Sequence, residues 1–246
     1  MDLIENIDTL NIDTLILNAR KKGTITFHKF KYNVDGEEQK EGEDYILKHR
    51  GFTIKSSDIT IISVGVYNFL WIKNMGKDKN YIYFSDDWRS LMVESDEYDH
   101  IKGIPIVCIN LEDKKYCIEL TTNEFNFLYI NFITTLPKGC NNKECQRLRG
   151  VFAVLYKFLI NIKYTGPVSL RDDSQYEGKF IVFTRAMEKK SNLSIYEKYG
   201  FIMSKERRDD IMKAVYNNDI KQLLTITRNI PMIANNINNF YQCFVK

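Results

Sequence analysis

The stretch Ser191–Ile202, SNLSIYEKYGFI, decides how the rest of the chain is interpreted. The hydroxyl of Ser191 can cap a helix, and apolar residues follow it at helical spacing as far as Tyr199. Gly200 can adopt the left-handed conformation that ends many helices. An apolar run starts directly afterwards, at Phe201. The stretch therefore predicts a helix that ends at Tyr199 and a strand that begins at Phe201.

The composition is that of an ordinary globular chain. Its 246 residues are enough for one large domain with additions or for two small domains. Hydrophobic residues make up 44% and charged residues 27%, and the 35 basic and 32 acidic side chains give a net charge of +3 without a basic block. Such a chain can bury a core, and a nucleic acid is not its expected partner.

The sequence gives no sign of secretion or of a membrane span. The N-terminal residues MDLIENIDTL are acidic, so they do not resemble a secretory signal. The longest apolar run, Ile59–Ile72, is too short for a bilayer and contains Thr60, Ser63 and Asn68. We therefore expect a cytoplasmic protein with no membrane partner. Abundant Asn, Ile and Lys are typical of AT-rich genomes, including viral ones, and a viral protein of this kind would act in the host cytoplasm.

The five cysteines are an odd number in a chain that is large enough to fold without disulfides. Free thiols are the predicted state. Cys140 and Cys145 have a spacing that a zinc loop can use, but the second pair, Cys108 and Cys117, falls on predicted strands. The histidines stand alone in the sequence, so no metal site is predicted.

Helical and extended patterns alternate in the first hundred residues. The predicted elements are a helix at Leu3–Leu17 (whose pattern also allows a strand), a strand at Thr24–Tyr32, a charged loop at Asn33–Asp44 and a helix at Asp86–Tyr98. Between them, the β-rich runs Ile59–Ile72 and Tyr81–Phe84 flank a Gly-containing turn, Asn74-Met75-Gly76. This arrangement predicts a hairpin.

Strand patterns dominate the middle of the chain. Three β-rich runs are joined by short turns, which favours an antiparallel meander; they are Ile104–Leu111, Tyr116–Leu120 and Phe127–Thr134. A long helix, Cys145–Ile162, and a strand, Val168–Arg171, follow. A strand, a helix and a strand in this order form a right-handed crossover. The strands on either side of the helix are therefore predicted to be parallel neighbours in one mixed sheet.

Residues 195–201, IYEKYGF, have the order aliphatic, Tyr, Glu, Lys, any residue, Gly, Phe. This order resembles the closing helix-to-strand motif of the GCN5-related N-acetyltransferase (GNAT) family. That family also shows the preceding order of elements: a meander, a helix, a strand, a helix and a closing strand. The resemblance implies an α+β fold with a GNAT-like mixed sheet flanked by helices at 55–205, an N-terminal extension at 1–54 and a C-terminal helical extension at 206–246.

A second likeness lies at the start of the long helix. In the family this loop carries Arg or Gln, two residues, Gly, one residue, and then Gly or Ala; the chain has RLRGVF at 147–152. The resemblance implies that the helix N-terminus binds the pyrophosphate of acetyl-CoA through backbone N–H groups, with added contacts from Arg147 and Arg149. Phe152 departs from the motif, because its ring stands where the family has Gly or Ala and can obstruct the cofactor.

The resemblance also assigns roles to individual residues. The implied cofactor-binding residues are Ile133, Arg147, Arg149, Gly150, Val151, Phe152 and Asn192. In the family's scheme an amine attacks the thioester, while the strand that ends near Ile133 binds the carbonyl oxygen and pantetheine. A Tyr, here Tyr196, protonates the departing thiolate. Glu119 is the candidate base for the amine, with Glu124 or a water relay as alternatives.

The C-terminal part lies beyond the family pattern. Lys205–Tyr216 and Ile220–Arg228 predict two amphipathic helices, the second with a capping box that begins at Asp219. Pro231 starts or interrupts a third helix. The tail, Asn235–Lys246, is predicted to fold back on its own domain or to contact a protein partner or a second copy of the chain.

Two functions remain open from the sequence. In the first, the protein is an N-acetyltransferase whose partners are acetyl-CoA and an amine of a protein or small molecule. In the second, it keeps the fold but serves as an interaction or structural protein, because Phe152 blocks the cofactor loop. The fold does not decide between them. Tyr196 occurs together with Arg147 and Gly150 in the family's order, which favours the first function.

Overall fold

The computed structural model describes residues 12–29, 33–34, 37–38, 46–49, 52–73, 81–84, 92–94, 106–109, 117–122, 128–133 and 147–235. The chain forms two compact units. The first unit comprises Met1–Asn126 and Asn131–Tyr164, and the second comprises Phe127–Ile130 and Thr165–Lys246. Each unit combines mostly antiparallel strands with helices, which agrees with the α+β class. The three-part division at residues 54 and 205 stays a prediction.

The described residues contain five α-helices: α1 (Ile12–Lys21), α2 (Leu148–Asn161), α3 (Ile181–Met187), α4 (Lys205–Tyr216) and α5 (Ile220–Ile226). The strands are β1 (Thr26–Lys29), β2 (Asn33–Val34), β3 (Glu37–Glu38), β4 (Ile46–His49), β5 (Phe52–Lys55), β6 (Ile59–Val64), β7 (Tyr67–Ile72), β8 (Tyr81–Phe84), β9 (Met92–Glu94), β10 (Ile106–Ile109), β11 (Ile118–Thr122), β12 (Leu128–Ile133), β13 (Val168–Asp172), β14 (Gln175–Tyr176), β15 (Lys179–Phe180), β16 (Ile202–Met203) and β17 (Ile230–Ala234). None of these five helices has the length and apolarity that a bilayer crossing requires.

In the first unit, β1, β6, β7, β8 and β11 lie side by side in that order, and each pair is antiparallel. The predicted hairpin of β7 and β8 is confirmed, while its turn, 74–76, lies outside the described residues. The run Ile59–Ile72, predicted as one extended segment, is itself a hairpin with Val64 opposite Tyr67. Gly65 in this turn has a φ of 60°, a conformation that glycine adopts without the strain other residues incur.

A four-stranded sheet in the first unit overturns two predictions. Its order is β5, β4, β10 and β9, with β10 parallel to β4 and antiparallel to β9. The predicted meander is therefore wrong at its first strand, Ile104–Leu111. The helix predicted at Asp86–Tyr98 is also wrong, because Met92–Glu94 is a strand. Short apolar runs are compatible with several structures, and the distant strand that satisfies their backbone groups decides among them.

The N-terminal predictions are right in part. Residues 12–17 of the helix predicted at Leu3–Leu17 are helical, and its remaining residues lie outside the described part of the chain. β1 lies within the predicted strand Thr24–Tyr32. The charged loop predicted at Asn33–Asp44 contains the short antiparallel ladder of β2 and β3, which is a correction.

Helix α2 contributes much of the core of the first unit. Its buried side chains are Val151, Phe152, Val154, Leu155, Phe158 and Leu159. The ring centroid of Phe158 lies 4.6 Å from that of Phe69, which in turn lies 5.2 Å from that of Phe84. Burying one such side chain stabilises the fold by about 1.5–3 kcal/mol. The helix begins at Leu148 rather than at the predicted Cys145, which lies outside the described residues.

The strand pairing that the family resemblance requires is present in the second unit. Residues Leu128–Ile130 of β12 pair in parallel with Val168–Leu170 of β13, and α2 lies between the two strands along the chain. The prediction that they are parallel neighbours is therefore confirmed. β17 pairs antiparallel with both β13 and β16, which gives the order β12, β13, β17, β16.

Strand β17 corrects the prediction of a third C-terminal helix. Ile230, Met232 and Ala234 are buried, whereas Pro231 and Ile233 are exposed. This alternation is the pattern of a strand with one buried face. Proline removes one donor from the ladder, but the strand is held on both sides by β13 and β16.

The two helices of the C-terminal segment agree with the prediction. α4 has the predicted bounds, and the Ser204 hydroxyl caps it by accepting a hydrogen bond from the backbone N–H of Arg207 at 3.2 Å. The Asp219 carboxylate caps α5, which ends at Ile226, two residues before the predicted end. Of the predicted tail, 236–246 lie outside the described residues.

Candidate functional site

Tyr196 lies in a four-residue 3-10 turn, Tyr196–Tyr199. The longer helix predicted from Ser191 is therefore wrong. Gly200 ends the turn in the predicted left-handed conformation, with a φ of 84°. The strand β16 follows at Ile202, one residue after the predicted start at Phe201.

Two side chains hold the loop before Tyr196 in a non-helical shape. Ser194 Oγ accepts a hydrogen bond from the Tyr196 N–H at 3.0 Å, and a Glu197 carboxylate oxygen accepts one from the Leu193 N–H at 3.1 Å. Glu197 also forms an ion pair with Arg208 of α4. Side chains that bond to nearby backbone groups compete with helical hydrogen bonds. This competition explains why helical spacing does not produce a helix here.

Asp172 is a buried carboxylate at the C-terminal end of β13, with 1% of its surface exposed. Its Oδ1 accepts hydrogen bonds from the backbone N–H of Ser174, at 3.0 Å, and from the hydroxyl of the same residue. Its Oδ2 accepts a hydrogen bond from the hydroxyl of Ser194. Both carboxylate oxygens are therefore satisfied, as the burial of a charge requires.

The phenol of Tyr196 is in a buried and negatively charged environment. Its residue is 8% exposed, and the ring lies edge-on to Phe201 with 6.4 Å between ring centroids. Burial raises the pKa of Tyr196 well above its usual value, and the negative charge of Asp172 raises it further. The phenol is therefore protonated at neutral pH. A general acid needs this state, although the raised pKa makes the phenol a weaker acid.

Arginine side chains hold the backbone at the predicted cofactor contact Asn192. This residue is exposed, and its carbonyl accepts a hydrogen bond from Arg185 Nη1 at 3.2 Å. The carbonyl of Ser191 accepts one from Arg208 Nη1 at 3.0 Å. The loop is thus anchored from α3 and from α4.

The N-terminus of α2 has features that suit an anion. Arg147 is its N-cap, with extended backbone at φ −136° and ψ 140°, and no side chain among the described residues caps this helix end. The first turn carries no acidic residue, and Arg147 and Arg149 are exposed. The first N–H groups of a helix lack partners within it and carry partial positive charge. Here positive side chains accompany them.

The side chain of Phe152 faces the core of the first unit. It is fully buried, as is that of Val151, while Gly150 is half-buried. A ring that is buried in the core does not cover the exposed arginines of the first turn. The obstruction of the cofactor by Phe152 stays a prediction.

Glu119, the predicted base, is fully buried on β11 opposite Tyr83 of β8. The side-chain amide of Asn131 donates a hydrogen bond to Glu119 Oε1 at 2.9 Å. Asn131 is itself exposed on β12, so it connects the buried carboxylate with the surface of that strand. Ile133, the predicted cofactor contact, is the half-buried last residue of β12. Glu124 lies outside the described residues.

The predicted site residues divide between the two units. Glu119, Ile133 and residues 147–152 belong to the first unit, whereas Asn192 and Tyr196 belong to the second. Within the second unit, the structure adds the charge of Asp172 to the environment of Tyr196.

Four residues that form hydrogen bonds or charge interactions with the predicted site residues or their loop were not predicted from the sequence: Asn131, Asp172, Ser194 and Arg208. A signal existed for Asp172, because Asp172-Asp173-Ser174 directly follows a predicted strand and Asp favours turns that its own side chain closes. For the other three, the side-chain partners Glu119, Asp172 and Glu197 are distant in the sequence. Their partners are chosen by the tertiary fold.

Cys117 is disulfide-bonded and fully buried. The prediction of free thiols is therefore wrong for this residue, because spacing in the sequence does not reveal which sulfur atoms meet. The side chains of the other cysteines lie outside the described residues. Within the described part of the chain, no group of three or more His, Cys, Asp or Glu residues could hold a metal ion.

Comparison of the chain with protein-family models, with curated proteins and with solved structures found no match. The resemblance to the acetyltransferases therefore depends on the motifs and on the order of elements.

Proposed function

We propose that the protein is a GNAT-like N-acetyltransferase that transfers an acetyl group from acetyl-CoA to an amine of a protein or small molecule. The observation that carries this proposal is the parallel pairing of β12 with β13, two strands that α2 separates along the chain. The family resemblance implies this pairing. An antiparallel pairing of β12 with β13 would have contradicted the resemblance.

The start of α2 supports binding of acetyl-CoA. A pyrophosphate is bound well by unpaired N–H groups at a helix N-terminus and by charge-assisted contacts from arginine. The first turn, which no side chain in the described part of the chain caps, offers the former, and the exposed Arg147 and Arg149 supply the latter. The ring of Phe152 is buried in the core and takes no part in this exposed surface. When bound, acetyl-CoA supplies an acyl group activated as a thioester.

Tyr196 is the proposed proton donor to the departing thiolate. It stays neutral at physiological pH, and it interacts with the charge of Asp172 at the C-terminal end of β13. An ordinary phenol and thiol differ by roughly 1.5 pKa units, so proton transfer between them costs about 2 kcal/mol. The raised pKa of Tyr196 increases this cost. Close placement against the developing thiolate charge would have to offset it.

Glu119 is the proposed base for the attacking amine. Because its carboxylate is fully buried, a water relay is the proposed route for the amine proton. Asn131 orients the carboxylate by donating a hydrogen bond to it.

Calorimetric titration with acetyl-CoA tests the proposal. We expect the native protein to bind, and Arg149→Ala to bind about tenfold more weakly, because one charge-assisted contact is lost. Arg207→Ala is the matched control, since it removes an arginine from the first turn of another helix, α4. A panel of amines then identifies the acceptor through release of free CoA thiol. Absence of acetyl-CoA binding by the native protein would contradict the proposal.

One observation favours the second function, a non-catalytic interaction or structural protein that keeps this fold. Tyr196 is buried against Phe201, as a packing residue would be. The same titration separates the two functions, because a structural protein shows neither binding of acetyl-CoA nor release of CoA thiol.

A further inference from the structure

We infer that Asp172 and Ser194 form a positioning relay that fixes Tyr196 beside the end of β13. The inference deepens the proposed function and rests on it, since the relay matters for catalysis if Tyr196 is the proton donor. The relay consists of two consecutive hydrogen bonds, from the Ser194 hydroxyl to Asp172 and from the Tyr196 N–H to the Ser194 hydroxyl oxygen.

The first hydrogen bond of the relay is the one that the Ser194 hydroxyl donates to Asp172. A hydroxyl has one proton to donate and two lone pairs with which to accept. The Ser194 hydroxyl donates its hydrogen bond to Asp172 Oδ2, while Asp172 Oδ1 accepts from the backbone N–H and the hydroxyl of Ser174. Hydrogen bonds to a carboxylate are stronger than neutral ones. The orientation of the Ser194 hydroxyl is therefore set by Asp172.

The second hydrogen bond transfers this orientation to the backbone of Tyr196. The one proton of the Ser194 hydroxyl is donated to Asp172, so the hydroxyl oxygen acts as an acceptor towards the backbone of Tyr196. The Tyr196 N–H donates to this oxygen at 3.0 Å. The 3-10 turn has Ile195 as its N-cap and no side-chain cap on that residue. The Ser194 hydroxyl therefore holds the first N–H of the turn by a side-chain hydrogen bond, which the apolar side chain of Ile195 cannot form.

A second anchor holds the other side of the same loop. Glu197 accepts the Leu193 N–H at 3.1 Å and pairs with Arg208. The charge that acts on the phenol is that of Asp172 from β13, while Glu197 from the same turn pairs with Arg208 of α4. Because Ser194 and Asp172 are both buried, water does not compete for the relay. The relay ties Tyr196 to β13, whereas Glu197 ties the loop to α4.

The test uses Ser194→Ala, which removes the link, and Asp172→Asn, which removes the charge. Asp173→Asn is the matched control, because Asp173 is the exposed neighbour of Asp172. The first measurement is hydrogen exchange of the Tyr196 amide. We expect exchange to rise by about tenfold in Ser194→Ala, which is the size expected for one lost hydrogen bond, and to be unchanged in Asp173→Asn. The second measurement is titration of the Tyr196 phenol by NMR, assigned with Tyr196→Phe. We expect it at lower pH in Asp172→Asn.

Kinetics link the relay to catalysis. In Ser194→Ala we expect kcat for acetyl transfer to fall about tenfold with KM for acetyl-CoA within twofold, because a displaced proton donor affects the chemical step. If no protein turns over acetyl-CoA, the proposed function fails, and the amide and phenol measurements still test the relay. Unchanged Tyr196 exchange in Ser194→Ala overturns the relay. An unchanged kcat in an active Ser194→Ala overturns its role in positioning. If Asp172→Asn does not fold, Ser194→Ala decides alone.

Discussion

The proposed chemistry depends on the phenol group of Tyr196. Substitution by phenylalanine keeps the buried ring and its contact with Phe201 but removes the proton donor. We expect Tyr196→Phe to lower kcat by about 10²-fold or more, the usual contribution of a general acid. Affinity for acetyl-CoA should stay nearly constant, which steady-state kinetics and calorimetry together measure. Equal turnover in the two proteins would show that Tyr196 serves packing alone.

The raised pKa of the same residue predicts a loss of stability in alkaline solution. Below the ordinary phenol pKa of 10.0, Tyr196 is neutral in both the folded and the unfolded chain. As the pH rises above that value, the unfolded chain releases the proton while the folded chain keeps it. The free energy of unfolding therefore falls with rising pH.

Tyr196→Phe should make this alkaline decline smaller, as denaturant unfolding between about pH 8 and pH 11 would measure. Burial also raises the pKa of Tyr129, partly offset by Arg171, so the native and variant proteins will share some of the decline. The difference between them is the test, and identical slopes would contradict the assigned environment of Tyr196.

Helix α2 combines a packing face with a candidate anion-binding end, and Phe152 tests their independence. Phe152→Ala should lower the free energy of unfolding by about 3–5 kcal/mol, because it leaves a cavity in the core. It should not improve acetyl-CoA binding, since the native ring is buried away from the exposed first turn. Phe152→Leu, which keeps more apolar volume, is the control. A gain of binding in Phe152→Ala that the native protein lacks would show instead that the ring blocks the cofactor.

Strand β17 offers a matched pair of substitutions on its two faces. Met232 is 2% exposed and Ile233 is 37% exposed. We expect Met232→Ala to destabilise the protein by about 2–5 kcal/mol and Ile233→Ala by less than about 1 kcal/mol. Chemical denaturation measures both. Equal costs would mean that the alternation of buried and exposed side chains does not describe this segment.

Over the whole molecule, structural predictions succeeded where they depend on residues close in the sequence or on the right-handedness of strand–helix–strand crossovers. The cap at Asp219 and the left-handed Gly200 were predicted from residue type and position. The parallel pairing of β12 and β13 was predictable because a strand, a helix and a strand favour one crossover. Of the candidate site, the family motif indicated Tyr196, but not the groups that surround it.

The amino-acid sequence by itself determined the helices α4 and α5, the stop at Gly200 and the alternation of strands around α2. Their causes are capping, backbone sterics and chain handedness, which act over a few residues or one crossover. The tertiary structure alone decided that β10 joins β4, that the segment at Pro231 is a strand, and that Cys117 is disulfide-bonded. It also decided that Ser194 donates to Asp172, 22 residues earlier. These outcomes depend on which distant groups can satisfy buried backbone, sulfur and charge, and no local pattern ranks those partners.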